Sequence, residues 1–286
     1  MRVTLDIYSG RENPSWELSS SETRQLVSRL AGKAVAAAEE VESVLGFRGY
    51  VVSVADDSDE TATAAGLPHT FRIGGALPQQ FVSGEAEAAA PLTGEEAQEA
   101  AQWLLTTAQE AVDAELLTIV QGALRPTPAP PPQPEAPITA ACLIQNTPYN
   151  PGFWNTPAAQ PNNNCYNYAM NYRSDTFAQP GRISGHPNNV MQCANVATAA
   201  NWDGCTAACS GPNKNVALVI WPGHDYHWYR LHSNSFWGHK PGGTAARNTD
   251  NRGRVIGGAL NPANCDRGPY TIFCGYRFSP VGMRVR

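Results

Sequence analysis

The sequence predicts an α+β protein with two domains, and three patterns lead to that prediction. Short alternating stretches, typical of β-strands, occur in both halves of the 286 residues. Amphipathic helix patterns lie between them, and a proline-rich stretch separates the two halves. We therefore expect a small α+β domain over residues 1–124, an extended polyproline linker over 125–137 and a cysteine-rich domain over 138–286.

The first domain carries strand and helix signals and little that points to chemistry. The predicted strands are residues 3–8, 50–54 and 70–73. Ser19 followed by Glu22 predicts a capping box at the start of a helix. From Thr93 onward an apolar stripe predicts one long helix that ends at Gly122. With one histidine and no cysteine, this domain is interpreted either as a recognition or partner-binding domain or as a structural appendage.

The two halves carry opposite charge, which restricts the classes of partner. Residues 1–137 hold 8 Lys and Arg against 20 Asp and Glu, a net charge of −12. Residues 138–286 hold 12 against 5, a net charge of +7. The acidic half would repel phosphate groups, so nucleic-acid binding is not expected.

The sequence shows neither a membrane span nor a targeting signal. No apolar run of membrane-spanning length occurs, so we expect no membrane contact. Residues 1–8 lack the apolar core of a signal peptide. We therefore expect a cytoplasmic protein.

The most informative stretch of the sequence is a predicted β-hairpin. Residues 225–231 alternate as a strand does, residues 232–235 interrupt the pattern, and a second strand follows over 236–239. This arrangement places His227 and His239 on adjacent strands, where their side chains can approach each other.

Cys165 is the candidate nucleophile of the second domain. It follows a run of asparagines at 162–164, and asparagine is a good helix cap, so a helix is predicted to begin at the cysteine. The helix dipole and the unpaired backbone N–H groups stabilise a thiolate at such a position, and a histidine presented by a strand is a suitable base. A lone cysteine is also a common core residue, so a catalytic and a structural Cys165 are both open.

Residues 160–280 resemble the NlpC-type branch of the papain-like enzymes in the order of these features. In that family a cysteine begins a helix that packs on an antiparallel sheet. A histidine follows on one strand, and a second polar residue lies on the next. The resemblance implies a papain-like domain in which Cys165 is the nucleophile, His227 the base and His239 the residue that orients the base. It also implies a buried strand at residues 216–221 before the hairpin and a later one at 270–276. The activity that it implies is that of a cysteine peptidase or amidase that uses no cofactor.

The residues around Cys165 and His227 differ from the family pattern. Asn164 stands where an acidic residue is usual, and bulky aromatic residues flank the positions where the family has small or apolar ones. These side chains would either shape a peptide-binding groove or fill it. The residues predicted to bind peptide are Trp228, Tyr229, Arg230, Tyr166 and Trp237.

The whole chain is also similar to a second group of proteins. Its opening residues 1–11, followed by a cysteine-rich second half, are similar to a bacterial group that contains the peptide-binding proteins of crocagin biosynthesis. That resemblance implies a protein that holds a ribosomally made precursor peptide while other biosynthetic enzymes modify it. The sequence therefore predicts a peptide-acting protein, which is either a thiol hydrolase or a non-catalytic peptide-binding protein.

All seven cysteines lie in the second half, and an odd number leaves at least one unpaired. Cys165 is the natural unpaired thiol. The other six are Cys142, Cys193, Cys205, Cys209, Cys265 and Cys274. Because no signal peptide is evident, we expect buried reduced thiols rather than disulfides. No metal site is predicted, although four residues form a permissible zinc ligand set. They are His186, Cys193, Cys205 and Cys209, and their spacing matches no familiar zinc module.

Overall fold

The computed structural model describes residues 1–38, 41–54, 62, 65–75, 90–91, 94–108, 111–123, 144–145, 147–209 and 211–286. The linker predicted at 125–137 and Cys142 lie outside these residues. The chain divides into two compact units. One comprises Met1–Ile7, Asn13–Glu42 and Phe47–Pro128, and the other comprises Tyr8–Glu12, Ser43–Gly46 and Ala129–Arg286. Two short segments of the first half therefore belong to the second unit.

Most strands of the first unit form one antiparallel sheet. The strands are β1 (Arg2–Leu5), β2 (Ser15–Glu17), β3 (Lys33–Ala34), β4 (Ala36–Ala37), β5 (Tyr50–Ser53), β6 (Thr70–Ile73) and β7 (Ala90–Pro91). Five of them pair in the order β2-β1-β5-β6-β4, and β3 pairs with β7 in parallel. The strands predicted from alternation are thus present, although the first one ends earlier than predicted.

The helices of the first unit are α1 (Ser20–Leu30), α2 (Gly94–Thr106) and α3 (Ala114–Ala123). The capping box predicted at the start of α1 is confirmed. The side chain of Ser19 accepts a hydrogen bond from the backbone N–H of Glu22, and the Glu22 carboxylate accepts one from the backbone N–H of Ser19. Both groups would otherwise be unpaired at the helix start.

The prediction of one long helix from Thr93 to Gly122 is wrong, because two polar side chains interrupt it. Thr107 Oγ1 donates to the backbone carbonyl of Leu104 at 2.7 Å, where α2 ends. Asp113 Oδ1 accepts from the backbone N–H of Leu116 at 2.8 Å and caps the start of α3. Such side-chain bonds to the backbone compete with helix continuation. Gly122 consequently lies inside α3 rather than after it.

A buried charge cluster stabilises the sheet of the first unit. Asp6 accepts from the guanidinium groups of Arg48 at 2.6 Å and Arg72 at 2.9 Å, and all three side chains are buried. Burial alone would raise the pKa of Asp6, but the two positive charges outweigh it and hold that pKa below its usual range. The carboxylate is therefore charged and paired at neutral pH.

The described residues of the second unit form three short helices and an antiparallel sheet. Its helices are α4 (Pro151–Trp154), α5 (Cys165–Met170) and α6 (Cys193–Trp202), and its strands are β8 (Asn213–Trp221), β9 (Asp225–Leu231), β10 (Trp237–His239) and β11 (Ile272–Pro280). The strand order is β10-β9-β8-β11, with antiparallel pairing throughout. The predicted hairpin and the predicted α+β class are confirmed. In the described part of the chain, no helix has the length and apolarity that crossing a membrane requires.

Helix α5 packs on one face of this sheet and forms its main core. Its residues Cys165 and Tyr166 cluster with Tyr226 and Trp228 of β9, and all four are buried. The start of α5 is capped as predicted, because the Asn164 side chain accepts from the backbone N–H groups of the next helical turn. The helix therefore begins at the cysteine for the reason that the asparagine run suggested.

Candidate functional site

Alternation along β9 separates two sets of side chains. Tyr226 and Trp228 face α5, whereas His227 faces the other side of the sheet, where its ring lies 5.9 Å from that of Tyr270. The ladder agrees, because Leu218 of the α5-side core pairs with Trp228 and the neighbouring Val219 pairs with His227.

The two hairpin histidines contact each other, as their spacing predicted. His227 Nε2 lies 2.9 Å from His239 Nδ1, and their ring centroids are 5.0 Å apart. The chain of hydrogen bonds continues at both ends. Ser9 Oγ lies 2.7 Å from His227 Nδ1, and the Thr249 carbonyl oxygen lies 2.9 Å from His239 Nε2. The result is a continuous line from Ser9 through both imidazoles to a backbone carbonyl.

The carbonyl at the end of this line determines which atom donates in each hydrogen bond. Burial lowers the pKa of His239 to about 3, so its imidazole is neutral at pH 7. A carbonyl only accepts, so His239 Nε2 carries the proton and donates to Thr249. His239 Nδ1 then accepts from Nε2–H of His227. In the neutral form of His227, the remaining Nδ1 accepts from the Ser9 hydroxyl.

Ser9 was missed by the sequence reasoning, and a buried carboxylate holds it in place. Asp225 accepts from the backbone N–H of Ser9 at 2.5 Å, of Gly10 at 3.0 Å and of Arg11 at 3.0 Å, and from the Tyr270 hydroxyl at 2.6 Å. Burial raises the pKa of Asp225, and the hydrogen bonds from Tyr270, Ser9 and Gly10 act in the opposite direction. Gly10 is required here, because a Cβ at this position would lie 2.4 Å from the Tyr226 ring.

The hydrogen bonds among Ser9, His227 and His239 follow the order found in a catalytic triad, but these side chains are not accessible to solvent. Ser9 and His227 are fully buried and His239 is 1% exposed. The backbone donors that would stabilise an oxyanion beside Ser9 already bind Asp225. The arrangement therefore holds the segment Tyr8–Glu12 against the sheet of the second unit and keeps the three side chains out of contact with solvent.

Cys165, the predicted nucleophile, is not brought to the predicted base. Its side chain is fully buried on the α5 side of the sheet, and its Sγ lies 3.9 Å from the backbone carbonyl of Tyr226. Burial raises the pKa of the Cys165 thiol well above its usual value, and the charge of Asp225 adds to this. The desolvation outweighs the stabilisation that the start of a helix gives to a thiolate, so the thiol stays protonated at pH 7.

The residues predicted to bind peptide all lie in the interior, with exposed fractions between 0% and 4%. The Tyr166 hydroxyl donates to Asp203 at 2.8 Å, and the Tyr166 ring packs against Trp228. Arg230 lies over the ring of Tyr168 at 4.7 Å. The other two residues stack on neighbours, Tyr229 on His239 and Trp237 on Tyr276. These aromatic residues fill the fold around the sheet instead of lining an open surface.

A buried lysine next to His239 is a further residue that sequence reasoning missed. Lys240 Nζ donates to the carbonyl oxygens of Gln160 and Asn163, both at 2.5 Å, and of Gly242 at 2.8 Å. Two of these carbonyls belong to the loop that precedes α5. The ammonium group therefore positions the chain leading into the helix.

The expectation of reduced thiols is wrong for part of the cysteine set. Cys193 at the start of α6 and Cys274 in β11 form a disulfide, and Cys209 is also disulfide-bonded. Cys165, Cys205 and Cys265 are free and buried. The zinc set considered above would need two of the bonded cysteines, and the described residues contain no cluster of three or more metal-ligating side chains.

These features define the second unit as a disulfide-containing α+β domain with a buried histidine pair. No family model matches the chain. No solved structure matches it either. Insoluble matrix shell protein 1 of Ruditapes philippinarum is 45% identical over 149 residues, which cover 51% of this chain and 97% of that protein. The chain therefore belongs to the same family as this shell matrix protein.

Proposed function

We propose that this protein binds extended peptides without cleaving them. The observation that carries the proposal is the separation of Cys165 from His227, which lie on opposite faces of one sheet. A thiol enzyme needs its nucleophile within reach of its base. The resemblance to NlpC-type enzymes then concerns only the order of helix and strands and not the activity. We therefore favour the crocagin-type role, in which the protein holds a precursor peptide for other enzymes.

The peptide-binding element that we propose is the outer edge of β11. The opposite edge of the sheet is covered, because Trp237 donates its backbone N–H to Ile256 and His239 exchanges two backbone bonds with Arg247. On the outer side of β11, Phe278 pairs with Thr206 through an isolated bridge. For residues 272–275, the backbone pairing within the described part of the chain is with β8. These residues therefore offer a short edge to which an extended peptide can add as a further strand.

The side chains and backbone of this edge limit what it accepts. Ile272 is 44% exposed and supplies an apolar contact for one side chain of a peptide. The ladder between β11 and β8 shifts register between Phe273 and Gly275. Such a bulge interrupts the regular hydrogen-bonding pattern of the edge and so disfavours pairing with a long strand. A short peptide segment that fits the bulged edge is favoured instead.

The disulfide bears on where this binding takes place. Disulfides form and persist in oxidising compartments, which favours such a compartment over the cytoplasmic location expected from the sequence. The name of the related shell protein describes a component of an insoluble matrix. We propose that this chain likewise binds its peptide partners within an assembly that forms under oxidising conditions.

The test uses the oxidised full chain and a phage-displayed library of short random peptides. Enriched peptides would be synthesised with a fluorophore and titrated by anisotropy, and their masses would be checked after incubation. We expect binding without cleavage, retained in Cys165→Ala. Ile272→Lys should weaken binding about tenfold, as loss of a central contact does.

Val281→Lys is the matched control, since Val281 is 51% exposed and lies after the strand. It should bind as the wild type does. Cleavage of the peptides that Cys165→Ala abolishes would overturn the proposal in favour of a thiol hydrolase. Absence of any enriched peptide would also overturn it.

A further inference from the structure

A surface groove on the second unit lies away from both the histidine pair and β11. Helix α6 and the loop before it border an open groove of about 390 Å³, lined in part by His186, Asn188, Asn195, Thr198 and Trp202. The last three recur along α6 at spacings of three and four residues, so they form one stripe on the helix surface. The groove contains an aromatic platform and a polar rim, which are the two parts of many ligand sites.

The platform is a stacked pair of rings. The imidazole of His186 lies parallel to the indole of Trp202, with centroids 4.0 Å apart and 6° between the planes. Trp202 is 59% exposed, the largest fraction among the exposed large apolar side chains of the described residues. A large aromatic ring that is held flat and still open to solvent is preorganised for stacking, because little rotational freedom is left to lose on binding.

Asp203 holds the loop that carries His186. Its carboxylate accepts from the Gly181 backbone N–H at 2.7 Å and from the Ser184 hydroxyl at 2.7 Å, in addition to the Tyr166 hydroxyl. The loop turns tightly, since Gly181 has φ +80° and a Cβ there would meet the His186 carbonyl. Asp203 follows Trp202 directly, so one carboxylate fixes the loop beside the indole.

The rim of the groove is polar and uncharged. The side chains of Asn195 and Thr198 form no hydrogen bond within the described residues. Among the same residues, the side chain of Asn188 bonds to the neighbouring backbone of Val190 and to no other group. An amide both donates and accepts, and so does a hydroxyl, which makes this rim suited to ligand hydroxyl groups.

Charge distinguishes the ligand classes that could use the groove. Its lining contains no aspartate, glutamate, lysine or arginine. Phosphate groups and acidic ligands are bound through cationic side chains, so this groove does not suit them. An extended peptide that adds to a sheet needs an open strand edge, and helix α6 offers none.

We propose that this groove binds a neutral carbohydrate. The apolar C–H face of a pyranose ring would stack on the Trp202–His186 pair, and its hydroxyl groups would pair with Asn195, Thr198 and Asn188. The proposal is independent of the peptide-binding edge.

The experiment titrates the oxidised full chain with cellohexaose and with chitohexaose by isothermal calorimetry. We expect at least one of the two to bind. Trp202→Ala should weaken that binding about tenfold or more, since it removes the aromatic contact, and Asn195→Ala should weaken it by a smaller factor. Phe153→Ala is the matched control, because Phe153 is 47% exposed on α4 and does not line the groove.

The NMR signal of the Trp202 indole N–H, assigned by its loss in Trp202→Ala, should shift during the titration. Circular dichroism establishes that each variant is folded. Absence of binding by both hexaoses at millimolar concentration would overturn the proposal. Equal weakening in Phe153→Ala would do the same, as would a proline-rich peptide that binds in a Trp202-dependent way and competes with the sugar.

Discussion

The Nε2 atom of His227 lies 2.9 Å from Nδ1 of His239, and neither ring is exposed beyond 1%. A protonated His239 would lose the lone pair that accepts from His227. The contact therefore requires a neutral His239, and this makes the fold of the second unit sensitive to acid.

The first prediction is a loss of stability as the pH falls below about 6.5. The pKa of His239 is about 3 in the folded protein and about 6.5 in the unfolded chain, so between these values unfolding takes up a proton. His239 then contributes a slope of about 1.4 kcal/mol per pH unit, with stability higher at higher pH. His232, whose pKa burial lowers to about 4, acts in the same direction. Asp225, whose pKa burial raises, acts in the opposite one.

Urea unfolding at several pH values between 4 and 7 measures this slope. His239→Gln should have a shallower slope than the wild type, because glutamine does not titrate. Ser28→Ala is the control, since Ser28 lies exposed on α1 and does not titrate in this range, and it should keep the wild-type slope. An equal slope in His239→Gln and the wild type would contradict the assignment.

The second prediction concerns the Ser9 hydroxyl. Ser9→Ala removes the donor to His227 Nδ1 and leaves a buried ring nitrogen without this partner. We expect a loss of about 1–3 kcal/mol in the free energy of unfolding, measured by urea titration. Ser28→Ala, at an exposed position of α1, should change it by less than about 0.5 kcal/mol. An equally small effect of Ser9→Ala would show that the hydroxyl contributes little to holding its segment.

Local patterns predicted the hairpin and the start of α5, because both depend on neighbours in sequence. The twelve-residue step from His227 to His239 indicated their contact, since alternation and a short turn determine register. The sequence did not predict Ser9, which bonds to a residue 218 positions away. No local signal in the sequence identifies a partner so far away. The Ser9–Gly10 pair at the end of a predicted strand is compatible with a tightly packed loop.

Local patterns also did not predict on which face of the sheet Cys165 lies. Alternation along β9 separates His227 from Tyr226 and Trp228, but it does not say which face the helix covers. Helix α5 covers the face of Trp228, so the cysteine and the histidine are divided by the sheet. The order of a cysteine on a helix and a histidine on a strand is therefore not sufficient to predict a thiol site.

The third prediction is that native Cys165 resists alkylation. The thiol is fully buried and its pKa is raised well above the usual value, so the reactive thiolate is scarce at pH 8. Cys205 and Cys265 have pKa values raised by burial to about 12 and should behave alike. Iodoacetamide followed by peptide mass spectrometry should label all three only after unfolding. Rapid, selective labelling of Cys165 in the native protein would instead restore the catalytic interpretation.

The last prediction concerns the bond between Cys193 and Cys274, which joins the first residue of α6 to β11. A peptide map of the oxidised protein under non-reducing conditions should contain these two cysteines in one linked fragment. The double variant Cys193→Ala with Cys274→Ala should lose about 2–5 kcal/mol in the free energy of unfolding, because the bond closes a loop of 81 residues and its removal frees the unfolded chain. Ala194→Ser, an exposed change at the next position of the helix, serves as the control and should be nearly neutral. Recovery of both cysteines as free thiols from the oxidised protein would contradict the bond and, with it, the argument for an oxidising compartment.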